Sequence, residues 1–105
     1  MPTSPLQHRH SFAADTVTGI EPVYGWSLLS FEEEDSDGFW RDNYVARQGA
    51  REVLVDVSCF QFKPTQERFA WLVRNGFPRR PTPFGGWSDA EIDARIAAER
   101  EAMAA

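Results

Sequence analysis

Cysteine is almost absent from this chain: its 105 residues include only Cys59. A single cysteine forms no intrachain disulfide, which is typical of a reducing compartment, so we expect a cytoplasmic protein. Cys59 lies beside Phe60 and two residues after Val57. We predict a packed thiol rather than a nucleophile, because a reactive thiol needs an electropositive and accessible setting.

Long apolar runs and catalytic motifs are also missing. No stretch approaches the ~18 apolar residues of a transmembrane helix, and residues 1–5 do not begin a signal peptide. The sequence contains no Gly-x-Ser-x-Gly, Walker, Gly-x-Gly-x-x-Gly or His-Glu-x-x-His motif, so we expect no enzyme. A cleft that brings together carboxylates such as Asp42, Glu52 and Asp56 is the open alternative.

Metal-ligand patterns are equally sparse. The only histidines are His8 and His10, whose spacing in an extended segment puts both imidazoles on one face as half of a metal site. Cys59 is the only soft third ligand. The acidic residues lack the spacing of a calcium loop. We therefore predict no metal and no cofactor.

The most distinctive feature present is a run of five carboxylates within six residues, Glu32-Glu33-Glu34-Asp35-Ser36-Asp37. Mutual repulsion favours a solvated turn or a surface that meets a basic partner. Charge is also segregated: residues 63–80 contain five basic residues and one acid, and residues 88–105 contain five acids and two arginines. With a net charge of −5, we expect no direct binding of nucleic acid, which needs Lys and Arg at the phosphates.

The pattern of apolar residues predicts an α+β fold, with a small antiparallel sheet of three to four strands in a meander followed by two α-helices. We expect one domain over residues 1–105, with a flexible lead at about residues 1–7. The acidic run with Asp37-Gly38 predicts one hairpin turn, and Gln48-Gly49-Ala50 a second. Alternating apolar residues favour strands at 23–31, 39–47 and 51–58, and a weaker edge strand near residues 8–12.

Both helices carry boundary signals. Thr65 is a good N-cap for the first, whose core face contains Phe69, Leu72 and Val73. Asn75-Gly76-Phe77 predicts that this helix ends in a Schellman motif.

The second helix is predicted to start with a capping box formed by Ser88 and Glu91. Trp87 can form a hydrophobic staple with Ile92. The helix then runs toward Ala104 with a narrow apolar stripe, which is typical of a peripheral helix or one that meets a partner chain.

Two groups of residues are candidates for partner binding. The first is the acidic run, which either meets a basic partner or is neutralised within the fold by Arg79 and Arg80. The second is an apolar patch around Trp71, which lies off the centre of its helix face and is expected to be partly exposed; packing is the alternative for Trp87. Together the candidates are Glu32, Glu33, Glu34, Asp35, Asp37, Trp71, Phe84 and Trp87.

Small size, acidity, the lone cysteine and the run Glu32–Asp37 resemble the class of small phage-encoded inhibitors, which includes anti-CRISPR proteins. The resemblance covers no defined motif and assigns no residue. It implies a protein-binding inhibitor whose carboxylates occupy a basic, nucleic-acid-binding groove on the target. The alternative is a structural or assembly subunit that forms a homo-oligomer through the C-terminal helix. Neither hypothesis involves a membrane.

Overall fold

The structure is a computed structural model that describes residues 16–34, 36–56, 62–78 and 86–104. Within these ranges the chain forms a four-stranded antiparallel sheet in the order β1-β2-β3-β4, followed by two helices. The predicted α+β meander is therefore confirmed. The elements are β1 Thr16–Val17, β2 Ser27–Glu34, β3 Trp40–Gln48, β4 Arg51–Asp56, α1 Gln66–Arg74 and α2 Asp89–Ala104.

Strand β2 begins four residues later than predicted, because residues 23–26 form a tight turn. Val23 and Trp26 exchange two backbone hydrogen bonds of 2.9 Å, and the central residues Tyr24 and Gly25 have φ of 48° and 81°. Positive φ at both central positions defines a type I′ turn. Trp26 enters the core from this turn, whereas Tyr24, which the predicted strand at 23–31 would place on the same face, is exposed.

The first edge of the sheet is short. Thr16 pairs with Ser30 and Val17 with Leu29, so β1 covers only the middle of β2. The edge strand predicted near residues 8–12 lies outside the described residues, as do the two histidines.

A β-bulge interrupts the pairing of β3 with β4. Tyr44 pairs with Asp56 and Val45 with Leu54, which leaves Val55 as the extra residue. Val53 and Val55 pack against the main core, and Leu54 packs on the opposite face of the sheet, as the alternating pattern predicted.

Apolar side chains are buried on both faces of the sheet. The main core lies between one face and the two helices. A smaller cluster on the opposite face contains Leu29, Phe31 and Val45, with Leu54 packed against it. The buried residues of the main core are Trp26, Leu28, Ala46, Phe62, Phe69, Trp71, Leu72, Trp87, Ile92 and Ile96.

The predicted boundaries of α1 are confirmed. The Thr65 hydroxyl accepts a hydrogen bond from the Arg68 amide at 3.2 Å. At the other end the Phe77 amide donates to the Leu72 carbonyl at 2.8 Å and the Gly76 amide to the Val73 carbonyl at 3.2 Å. These two bonds define the Schellman motif, and Gly76 has the positive φ that it requires.

The capping box of α2 is also confirmed. The Glu91 amide donates to the Ser88 hydroxyl at 3.2 Å, and the Ser88 amide donates to the Glu91 carboxylate at 3.1 Å. Trp87 and Ile92 are both buried in the main core, which is consistent with the predicted staple.

Ion pairs join the basic residues of α1 to the acidic residues of α2. Arg68 lies 2.8 Å from Asp93 and 3.5 Å from Asp89, and Arg74 lies 2.7 Å from Glu99. A further pair joins Arg100 to Glu67. The described arginines of the basic block therefore contact the last helix rather than the acidic run. Arg79 and Arg80, the other candidates for neutralising that run, lie outside the described residues.

These ion pairs predict a specific loss of stability in acid. The hydrogen bond from Arg68 lowers the pKa of Asp93, and hydrogen bonds from Arg74 and Asn75 lower the pKa of Glu99. A carboxylate with a lowered folded pKa stabilises the fold above the ordinary value of about 4, and this contribution is lost as pH falls through the folded value. We expect the double variant D93N/E99Q to be less stable than the native chain at pH 7, and this difference to shrink as pH falls below about 4.

Urea denaturation at a series of pH values measures the effect. The matched control is E21Q/E101Q, which removes two exposed carboxylates for which no described residue provides an ion pair. A stability difference for D93N/E99Q that stays constant from pH 7 to pH 2 would contradict the assignment of these pairs.

Candidate protein-binding surface

The first half of the acidic run belongs to a strand, which corrects the prediction that the whole run is a turn. Glu32, Glu33 and Glu34 are the last residues of β2, paired with Asp42, Arg41 and Trp40 of β3. The turn itself contains residues 36–39, and Asp35 lies outside the described residues. Strand geometry then sends the side chains of Glu32 and Glu34 to one face of the sheet and that of Glu33 to the other.

The helices cover only part of the hairpin formed by β2 and β3. On the helix-bearing face, Leu28 and Ala46 are buried in the main core, and Tyr44 makes an edge-on contact with Phe62 at 5.5 Å between ring centroids. Between Tyr44 and the hairpin turn, the residues on this face are exposed. The next two cross-strand pairs are Glu32 with Asp42 and Glu34 with Trp40, and all four residues are exposed. We call these four residues the open hairpin face.

Like charges oppose each other on the open hairpin face. Glu32 and Asp42 are direct cross-strand neighbours, an arrangement that destabilises a sheet. No side chain that the structure describes forms an ion pair with Glu32, Glu34 or Asp42. Positive charge from a partner would therefore relieve a repulsion that exists in the free protein.

Glu33 has a different environment on the opposite face. Asn43 is fully buried, and its Nδ2 donates to Glu33 Oε2 at 3.0 Å. Among the described groups none donates to the Asn43 Oδ1 atom, so Glu33 provides the contact that this buried amide makes. Glu33 is half-buried, and we assign it to the fold rather than to the accessible surface.

Two aromatic residues predicted to bind a partner are in the core instead. Trp71 is 4% exposed and Trp87 is 9% exposed, and their ring centroids lie 5.3 Å apart in an edge-on contact. Trp87 also donates through Nε1 to the Pro78 carbonyl at 2.8 Å. The expectation that Trp71 is partly exposed is wrong, because Trp87, two residues before α2 begins, packs against its ring. Phe84 lies outside the described residues.

At the end of the hairpin formed by β2 and β3 the exposed aromatic residues are Phe39 and Trp40, which were predicted only to belong to a strand. Their exposed fractions are 70% and 64%. The sequence contains one signal for the exposure of Trp40. Trp40 and Asp42 are two residues apart in β3 and therefore share a face, and an acidic residue on that face argues against a buried indole. Exposed aromatic rings beside carboxylates are therefore the main chemical feature of this end of the sheet.

Metal binding, membrane insertion and similarity to known proteins are the remaining sources of evidence about function. Within the described ranges, no group of three or more His, Cys, Asp or Glu side chains is arranged to hold a metal ion. Neither described helix has the length and apolarity needed to cross a bilayer. Compared with known protein families, with curated proteins and with solved structures, the chain matches none of them.

Glu32 and Asp42 oppose each other and have no ion-pair partner among the described side chains, so removing one of the two charges should stabilise the protein. We expect D42N to increase the free energy of unfolding by up to about 1 kcal/mol at low salt, because it removes the repulsion with Glu32. We expect D93N to do the opposite, because Asp93 is paired with Arg68.

Urea denaturation at low and high salt provides the measurement. The gain from D42N should shrink at about 1 M salt, where the screening length falls to about 3 Å. Destabilisation by D42N at low salt would show that Asp42 has a compensating partner, and would contradict the description of the open hairpin face.

Proposed function

We propose that the protein binds a partner protein with a basic surface through the end of the β2–β3 hairpin. The observation that supports this most is the open hairpin face, where three carboxylates without a described ion-pair partner surround an exposed tryptophan. Complementary charge accelerates encounter, and a desolvated aromatic ring supplies binding energy at the centre of an interface. This hairpin end therefore contains both ingredients of a protein-binding site.

Inhibition is the biological form of binding that we propose. A row of carboxylates has the same sign of charge as a nucleic-acid backbone, so a groove that binds phosphates with Lys and Arg also attracts the hairpin end. The resemblance to phage-encoded inhibitors favours the same hypothesis. The protein would then compete with nucleic acid for its target without catalysing a reaction.

The alternative, a homo-oligomer formed through the C-terminal helix, also has an observation in its favour. Helix α2 buries Ile92 and Ile96, but its last residues are mostly exposed, and Met103 is 86% exposed. Removal of residues 100–105 spares both isoleucines and Glu99. An oligomer of the pure protein that dissociates after this truncation would favour assembly over inhibition.

The proposed function is tested by the salt dependence of partner binding. The partner is captured from lysate of the native host at low salt, purified, and titrated with the native chain and with the variant E32Q/D42N. We expect this variant to bind about tenfold more weakly and to lose much of the salt dependence of the native complex. Glu33 is left unchanged because it contacts the buried Asn43.

The matched control is E21Q/E101Q, which changes the net charge equally at exposed positions outside the hairpin. It should bind as the native chain does. Equal affinities for the native chain and E32Q/D42N, or equal losses in both variants, would contradict a hairpin-directed interaction.

A further inference from the structure

Two buried tryptophan rings each have an arginine side chain over one face. The guanidinium carbon of Arg51 lies 5.2 Å from the ring centroid of Trp26, and that of Arg95 lies 5.5 Å from the ring centroid of Trp87. A cation at this distance over the face of an indole is attracted by the ring quadrupole. In both cases the arginine shields a ring that packs its other parts into the core.

No described arginine lies over the Trp40 ring, although three carboxylates around it would attract a cation. It is 64% exposed, and no described residue places a cation over its ring. Glu34 lies directly opposite across the strands, Asp42 is two residues along on the same face, and Glu32 is the diagonal neighbour. Direct and diagonal cross-strand neighbours have Cβ atoms about 5 Å and about 7–8 Å apart. Residues two apart on one strand are separated by two rises of about 3.3 Å. All three carboxylates are therefore within reach of a group stacked on Trp40.

Six arginine side chains that the structure describes are already engaged elsewhere. Each one whose side chain the structure describes has its own acidic or aromatic partner. The pairs are Arg47 with Glu52, Arg51 with Trp26, Arg68 with Asp93, Arg74 with Glu99, Arg95 with Trp87 and Arg100 with Glu67. A cation for Trp40 would therefore have to come from a different source than these six side chains.

We propose that the open hairpin face is a receptor for one arginine side chain of the partner protein. The guanidinium plane stacks on the Trp40 indole, and its N–H groups donate to Glu34 and Asp42. Arginine fits better than lysine, because its planar, weakly hydrated head stacks on aromatic rings and donates two parallel hydrogen bonds to a carboxylate. This inference rests on the proposed function only in that the arginine belongs to a bound protein.

A small probe tests the receptor without the partner. The peptide acetyl-Gly-Arg-Gly-amide is titrated into the full chain, and the indole N–H signal of Trp40, assigned with W40F, is followed by NMR. We expect a saturable shift with a dissociation constant near or above about 1 mM, because a single side chain supplies the contacts. The lysine peptide should bind roughly threefold more weakly, and the uncharged citrulline peptide should cause no comparable shift.

Two variants separate recognition from a general effect of charge. E34Q and D42N keep the Trp40 signal but should weaken binding of the arginine peptide, whereas E101Q, which removes an exposed carboxylate of α2, should not. The folded state is checked by the unchanged indole signals of Trp26, Trp71 and Trp87. Equal shifts with the arginine, lysine and citrulline peptides, or no shift at all, would overturn the inference.

The arginine receptor and the proposed function can fail independently, and the experiments distinguish the two failures. If the captured partner depends on Glu32 and Asp42 but tolerates exchange of its interface arginines for lysine, protein binding stands and the arginine receptor is wrong. If the arginine peptide binds but the partner ignores the hairpin variants, the receptor is present and the proposed function is wrong.

Discussion

The antiparallel pairing of β2 with β3 places Leu28 opposite Ala46 and, four residues further along β2, Glu32 opposite Asp42. Because cross-strand neighbours share a face, this register divides one surface of the hairpin into a buried apolar part and an exposed acidic part. The two helices cover the first part only. A shift by one residue would exchange the faces of Leu28 and Leu29 and of Glu32 and Glu33, so both the core and the proposed binding surface depend on this register.

The described arginine side chains contact parts of the fold other than the exposed acidic part of the hairpin. The arginines of α1 are directed to the carboxylates of α2, where they hold the two helices together, and arginines near Trp26 and Trp87 cover aromatic rings. The acidic end of the hairpin receives none of these groups. The described arginines thus neutralise acidic residues of the two helices, whereas Glu32, Glu34 and Asp42 have no ion-pair partner among the described side chains.

Sequence reasoning predicted the fold well because its signals are local. The Thr65 cap, the Ser88–Glu91 capping box and the Gly76 C′ position each involve hydrogen bonds within a few residues, and the structure forms them all. The site was harder to predict. Burial of Trp71 depends on how α2 lies against α1, and exposure of Trp40 depends on where the helices stop covering the sheet. Both are long-range properties that a single helix face or strand pattern does not contain.

Trp40 is an exposed indole among carboxylates, so a cation in solution should quench its fluorescence more strongly than an anion does. The other three tryptophans are buried, so an ion in solution reaches Trp40 preferentially. At constant ionic strength we predict that caesium quenches part of the emission, that iodide quenches much less, and that W40F abolishes the caesium effect. Iodide quenching as strong as that by caesium, or caesium quenching that persists in W40F, would show that Trp40 is not an accessible indole in a negative field.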